Sequence, residues 1–390
     1  MPDAESTVTA RIVERIADIP ATDWDALAGD ENPFVSHGFL HALEATGCAT
    51  NKAGWLPQHM VMEDAAGRLL GAVPLYLKGH SQGEYVFDHG WAHAFERAGG
   101  SYYPKLQASV PFSPVTGPRL LAGDGPGAIE VRFALARTLE TFCERMGVSS
   151  VHVTFPTRAE WDLLGEAGWI QRRGRQFHWH NRGYETFDDF LGALMSRKRK
   201  AIKKERREVA ESGIVVRALT GAEIEPRHWD AFYRFYVDTY DRKWGYPYLT
   251  REFFQVLQDT LPDKVVLVIA EHDGRPVAGA INLKGKRALY GRNWGCIEDH
   301  RFLHFECCYY QAIEFAIANG LETVEAGTQG PHKIQRGYLP TETYSAHFIR
   351  HAGLRDAVAR FCVEESREVD YEIEAYGEHS PYRRDGADEG

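Results

Sequence analysis

Two runs of the chain share one pattern of alternating apolar and polar positions around a tight turn. Residues 61–79 read VMEDAAGRLLGAVPLYLKG, and residues 269–285 read IAEHDGRPVAGAINLKG. Each predicts a β-hairpin, turning at D-x-x-G in the first case and D-G in the second. Behind each comes a helical period and then a short apolar run. These predict helix 129–146 with strand 148–155 in the first half, and helix 304–319 with strand 321–326 in the second. Both helices stop at a glycine, Gly147 and Gly320, the residue that takes a left-handed C-cap with least strain. The pattern is that of a weak internal repeat.

The halves differ in spacing. Gly67 to Gly147 covers 80 positions, whereas Gly274 to Gly320 covers 46. The extra 34 residues fall near 79–127, in a segment full of Gly, Pro, Tyr and His. An insertion of that length is more often a functional loop than idle chain, and the second half offers a surface for it to fold over. Helical periods at 223–240 and 250–260 precede strands that begin at residue 264. A strand over 343–350 and a last helix close the half, and the first half opens similarly with a strand near 11–16. This order predicts an α+β fold, helices packed on mostly antiparallel sheets, duplicated in tandem. Domains are expected at 1–185 and 186–375, with a charged, frayed tail over 376–390.

Composition narrows the class. With 44% hydrophobic and 26% charged residues among 390, the chain reads as a soluble globular protein rather than a disordered or fibrous one. No run approaches the length needed to span a bilayer, and MPDAESTVTARIVER has no apolar signal core, so a cytoplasmic location is expected. The net charge of −10 argues against a DNA-coating protein, which depends on phosphate neutralisation, but leaves room for a local basic site. Cys48, Cys143, Cys296, Cys307, Cys308 and Cys362 show no C-x-x-C pair and no metal-ligand spacing, which suits a reducing compartment.

That local basic site is visible in SRKRKAIKKERREV, residues 196–209, where eight of the eleven positions from Arg197 to Arg207 are Lys or Arg. One reading is a solvated helix laced by Lys204–Glu208 and Arg207–Glu211 pairs. The other starts from the apolar stripe Leu191, Met195, Ile202 and Val209, in which helical spacing also places Lys198 and Glu205. A lysine there must snorkel, pair or face a ligand. A positive helix over a site would draw in a phosphate-bearing molecule.

Candidate chemistry gathers in the second half. The strand RALYGRNWG (287–295) leads through CIEDHRF into a helix, and helix N-termini after strands favour phosphate or a polarised carbonyl. Arg292, Asn293, His304 and Glu306 cluster at this junction, although Glu306 also fits as an acid complementing the helix dipole. The following loop, VEAGTQGPHKIQRGYLP, holds Gln329, His332, Lys333, Arg336 and Tyr338, donors suited to an oxyanion or a phosphate. The insertion adds Tyr102, Tyr103, Lys105 and Gln107 beside prolines, either as a pocket wall or as an interdomain surface. Walker, dinucleotide, nucleophile-elbow and zinc-protease signatures are all missing.

The runs YYPKLQASVPFSPVTGPRLL, SRKRKAIKKERREV, YGRNWGCIEDHRFLHFECCYYQAIEFAIANGL and EAGTQGPHKIQRGYLP resemble the bacterial FemAB-like family of peptidoglycan biosynthesis proteins, in the GNAT acyltransferase superfamily, over about residues 10–375. The resemblance implies a double GNAT fold, related to Fem transferases that move amino acids from aminoacyl-tRNA onto cell-wall precursors. The GNAT coenzyme A loop, a Q/R-x-x-G-x-G/A pattern, should fall between residues 295 and 305. The run CIEDHRFLHF has no glycine to let backbone amides cradle a pyrophosphate. Fem-type proteins depart from that loop too.

The expected activity is therefore transfer of an acyl or aminoacyl group to an amine by the second half. Lys333 and Arg336 are expected to bind donor phosphate or the oxyanion, and His332 or Glu306, with His304 nearby, to relay the amine proton. Lys198, Arg292, Asn293, Gln329, Tyr338, Tyr102 and Lys105 are expected to hold substrate or donor. No metal and no tightly bound cofactor is implied, only a coenzyme A thioester or an aminoacyl-tRNA as co-substrate, with a small-molecule or peptide amine as acceptor. The alternatives are a non-catalytic protein binding an anionic metabolite in a retained groove, and a structural partner in wall synthesis.

Overall fold

The computed structural model describes residues 8–242, 245–327 and 330–383. In chain order the first half holds β1 (Thr9–Val13), α1 (Ala21–Ala28), α2 (His37–Ala45), β2 (Leu56–Pro57), β3 (His59–Glu63), β4 (Leu69–Val73), β5 (Leu75–Lys78), α3 (His89–Arg97), β6 (Lys105–Ala108), α4 (Ala128–Met146), β7 (Ser150–Thr154), α5 (Arg158–Glu166) and β8 (Ile170–His180). The second holds α6 (Phe187–Gly192), α7 (Ser196–Glu211), β9 (Ile214–Thr220), α8 (Pro226–Arg242), α9 (Arg251–Thr260), β10 (Val265–His272), β11 (Arg275–Lys284) and β12 (Ala288–Cys296). It continues with α10 (Leu303–Phe305), a π-helical turn at Glu306–Tyr310, α11 (Gln311–Ala318), β13 (Thr323–Glu325), β14 (Leu339–Ile349) and α12 (Ala352–Glu378). None of the described helices is long and apolar enough to cross a membrane.

The repeat read from the sequence is present in the strand ladders. In the first half β5 pairs antiparallel with β6, and α4 then returns the chain to β7, parallel to β6. In the second, β11 pairs antiparallel with β12, and the α10–α11 segment returns it to β13, parallel to β12. Gly147 and Gly320 end the two returning helices with φ of 69° and 65°, the left-handed cap expected of them. The fold class is α+β, with the same strand–strand–helix–strand order in both copies.

The compact units do not follow a single cut in the sequence. One unit comprises the chain up to Gly174 together with Glu342–Val369; the other comprises Arg175–Thr341 and the residues from Asp370. The expected boundary near residue 185 misses this, because the last strand of each copy is exchanged. In the first unit β7 takes β14 as its antiparallel neighbour, with Ser345 opposite Thr154 and Ile349 opposite Ser150. In the second, β13 takes β8, with Thr323 opposite His180 and Glu325 opposite His178. The insertion also resolves. It contains α3 and then β6, and β6 is itself a member of the first unit's sheet.

Strands β10 and β11 of the second unit are apolar without alternation because both faces are covered. Val268, Ala270, Ala278 and Ala280 point to Leu303 and Cys307 at the π-helical turn. Ile269 and Gly279, opposed to each other in the ladder, face Phe232 on α8. Helix α8 sits so close to β12 that a Cβ on Gly295 would lie 2.2 Å from the Phe235 carbonyl oxygen. That obstacle is backbone and cannot rotate away. Gly295→Ala is therefore expected to destabilise the protein by about 1–3 kcal/mol, the usual range for overpacking, measured as the change in urea unfolding midpoint at constant slope.

Candidate active site

The site arises where two strands part. Strands β12 and β13 are paired for three positions only, Ala288 with Thr323, Leu289 with Val324 and Tyr290 with Glu325. Strand β13 then ends, while β12 runs on to Cys296 beside β11. Along that stretch Ala280 opposes Trp294 and Asn282 opposes Gly291, so β12 carries one residue more than its partner. Such a bulge breaks the ladder locally and re-aims side chains. Next to it lies a cavity of about 440 Å³, lined by Asn282, Gly291–Trp294, His304, Cys308, Tyr309, Ala326, Gly330, His332 and Lys333. That size suits a small ligand or the reactive end of a larger one.

The π-helical turn builds one wall. Phe302 takes a left-handed conformation, with φ 65°, just before the helix starts at Leu303. The wide turn at Glu306–Tyr310 then inserts the extra residue typical of a π-bulge. Cys307 faces the core with Val268 and Ala270, while Cys308 and Tyr309 border the cavity. The Tyr309 hydroxyl is hydrogen-bonded to His332 Nε2 at 3.0 Å. Burial pushes the Tyr309 phenol far above its ordinary value, so it stays protonated at neutral pH. Burial, and then the nearby Arg336 and Lys333 charges, push the His332 imidazole below its ordinary value, so it is neutral there. The His304 ring stands 5.4 Å from Tyr309, 5.3 Å from Trp294 and 6.1 Å from His332, centroid to centroid. Gly330 lies against His332: a Cβ there would meet the imidazole Cε1 at 2.3 Å.

Lys333 supplies the charge. Its side chain is buried, and its ammonium donates to the carbonyl oxygens of Ala326 and Gly327, the latter at 3.1 Å. These carbonyls belong to the chain just past β13, where the ladder with β12 has stopped. Among the described residues it has no carboxylate partner, and burial lowers its pKa to about 8. A desolvated ammonium held only by neutral carbonyls is well placed to stabilise a developing negative oxygen.

The chain matches the family model for peptidoglycan biosynthesis and recognition proteins of the FemAB-like type over residues 15–384. It belongs to the FemAB-like family. No curated protein matches it closely. Among solved structures, this FemAB-like chain is similar to FemX, with a TM-score of 0.58 at 11% identity, covering 87% of this chain and 98% of that one. It is also similar to L-PGS from Bacillus licheniformis, with a TM-score of 0.52 at 10% identity over 85% and 98% of the two chains. A conserved protein of unknown function from Bacteroides thetaiotaomicron gives 0.50 at 11% identity over 88% and 100%. Identities this low speak to fold alone.

Of the residues singled out in the sequence, Arg292, Asn293, His304, His332 and Lys333 meet at the one cavity. Others do not. Glu306 points away from it, into a second cavity of about 830 Å³, where Arg206 holds it at 3.0 and 3.1 Å. Arg336 is buried and bound to both carboxylate oxygens of Glu205, at 2.9 and 3.0 Å, with its guanidinium 3.4 Å over the Phe305 ring. Tyr338 is core, its hydroxyl donating to the Tyr309 carbonyl. Lys198 donates to the Gln335 side chain. Tyr102 and Lys105 lie inside the first unit, where Tyr102 donates to Asp88 and Lys105 pairs with Glu84 and Asp88. Gln329 falls outside the described residues.

Sequence reasoning missed Tyr309, Trp294 and Cys308. Tyr309 and Cys308 sit in an apolar helical run that reads as core, and only the π-bulge turns them to the cavity. Glu205 was seen in the apolar stripe, and its partner there is Arg336. The two cations of the PHKIQR turn thus have different jobs. Arg336→Met should lower unfolding free energy by about 3 kcal/mol, because it strands the largely buried Glu205 carboxylate. Lys333→Met should stay within about 1 kcal/mol of wild type, since relief from charge burial offsets the lost hydrogen bonds. Urea unfolding of both variants checks the contrast.

Proposed function

We propose that this chain is a transferase that moves an acyl or aminoacyl group from an activated ester or thioester to an amine, with the reaction in the second unit's cavity. The observation that carries the reading is the convergence there of an unpaired, desolvated Lys333 and a hydrogen-bonded Tyr309–His332 pair. Family membership supports it and points to a cell-wall precursor amine as the acceptor class.

The steps follow from the groups. The amine nitrogen attacks the carbonyl carbon, and the oxygen that gains negative charge is met by the Lys333 ammonium. One such donor is worth about 10²–10³-fold in rate. The amine proton passes to the Tyr309 oxygen as that hydroxyl gives its own proton to His332 Nε2, a relay worth about 10²–10⁴-fold. When the bond from carbonyl carbon to leaving oxygen or sulfur breaks, the imidazolium returns the proton to the leaving group through the same pair. Arg292, Asn293 and His304 line the acceptor's approach, with the rings of Trp294 and His304 as its apolar wall.

Two features favour an aminoacyl-tRNA over coenzyme A as donor. The segment after β12, where a pyrophosphate would be cradled, carries Glu298 and Asp299 and no glycine. The basic helix α7 is largely neutralised along its length, through Lys203–Asp188, Lys204–Glu208, Arg206–Glu306 and Arg207–Glu211. In its first turn Arg197, Arg199 and Lys200 have no carboxylate partner among the described residues and are open to an anionic partner such as the phosphates of a nucleic-acid strand. On this reading no metal or tightly bound cofactor takes part in the transfer step.

Incubation of purified protein with charged tRNAs, or with acyl-CoAs, and amine pools from a bacterial extract should give a product heavier by one acyl or aminoacyl group in mass spectra. If neither donor reacts while an anionic metabolite binds and is recovered unchanged, the chain is a binding protein instead. Initial rates from about pH 5 to about pH 10 should be bell-shaped. The acid limb reports His332 becoming neutral and lies below the ordinary imidazole value; the basic limb reports Lys333 losing its proton near pH 8. Lys333→Ala should lower kcat by about 10²–10³-fold and abolish the basic limb, and His332→Gln should abolish the acid limb.

A further inference from the structure

Away from the cavity, three side chains from two separate segments of the second unit converge on one point. His272 ends β10, while Glu298 and His300 come from the segment between β12 and α10. His272 Nδ1 is 3.3 Å and His300 Nε2 is 2.7 Å from the same oxygen, Glu298 Oε2, and the three donor atoms all lie within 4.8 Å of one another. The two imidazole rings meet edge to face, 5.2 Å apart. All three residues are partly open to solvent.

We propose that His272, Glu298 and His300 form a site for one divalent transition-metal ion of the zinc type. Two imidazole nitrogens and a carboxylate oxygen are a known zinc ligand set, with water completing the tetrahedron. Bonds of the usual length around zinc put neighbouring donors about 3.4 Å apart; the contacts of 3.3 and 2.7 Å to Glu298 lie close to that, and the imidazole nitrogens, within 4.8 Å of each other, need a shift of at most about 1.4 Å by rotatable side chains. Imidazole donors select zinc, copper, nickel or cobalt over magnesium and calcium, which take oxygen ligands. The flanking Asp273 and Asp299 add negative charge beside the site and favour a cation there.

The position gives the ion a task. It joins the β10–β11 turn to the segment that enters the site helix. His300 also offers its backbone carbonyl to the Leu303 amide at 3.2 Å, in the helix's first turn, and His304 follows directly. A filled site would fix how that helix begins and so hold His304 in the cavity wall. The ion touches no reacting atom; it is a positioning element.

The competing account is a carboxylate that merely accepts hydrogen bonds from two histidines. Zinc titration of chelator-stripped, tag-free full-length protein against a chromophoric chelator separates the two. The proposal expects one ion per chain, held at micromolar affinity or tighter, with no competition from millimolar magnesium. His272→Gln, Glu298→Gln and His300→Gln should each weaken binding at least tenfold. Cobalt substitution should give the visible absorption of a four-coordinate site in wild type and not in His272→Gln. Circular-dichroism melts of the zinc-free variants should match wild type, because these side chains are solvent-accessible. Absence of stoichiometric binding, or binding that survives the His272→Gln/His300→Gln pair of changes unaltered, overturns the proposal.

Discussion

The second unit is organised around a hydrogen-bond ladder that stops early. After Tyr290 and Glu325, strands β12 and β13 no longer serve each other, and backbone groups at that depth must find partners. On the β13 side, Ala326 and Gly327 continue to bond Phe177, and their carbonyls also receive the Lys333 ammonium. On the β12 side, a bulge takes up the change of course. The cavity is the space between these two remedies. Lys333 is thus held where it is by the backbone it satisfies, and its placement does not depend on a bound substrate.

That arrangement explains which parts of the site could be read in the sequence. Arg292 and Asn293 in the strand RALYGRNWG, His304 at a helix start and His332 and Lys333 in the loop that follows are polar residues in consecutive elements, and strand–helix–loop order alone brings them near one another. The repeat was legible for a similar reason: turn glycines and helix-ending glycines obey local rules that tertiary packing seldom overrides. Gly147 and Gly320 took the left-handed cap that those rules require.

What escaped depends on non-local geometry. A π-bulge has no helical-period signature, so Tyr309 looked like a core residue and Glu306 like a neighbour of the site. The bulge directs them to opposite sides, and Glu306 meets Arg206 instead. Arg336 and Lys333 are equivalent in charge and three residues apart, yet one faces Glu205 and the other faces bare carbonyls. Nothing in their spacing distinguishes them, and the distance to the nearest carboxylate decides which is a structural ion and which is chemically available. The basic helix divides similarly, with its later cations spent on intramolecular pairs and Arg197 and Lys200 of its first turn exposed.

The exchanged last strands, β8 and β14, have a consequence for how the molecule comes into being. Domains usually fold as they leave the ribosome, amino-terminal one first. Here the first unit's sheet lacks its β7 partner until residues 342–349 have been made, nearly half of the chain later. Its nascent form must wait with an open edge at β7, the kind of edge that invites wrong pairing. Separating the two copies into independently expressed halves would remove from β7 and from β13 the neighbour each has here, leaving each half's own last strand as the substitute.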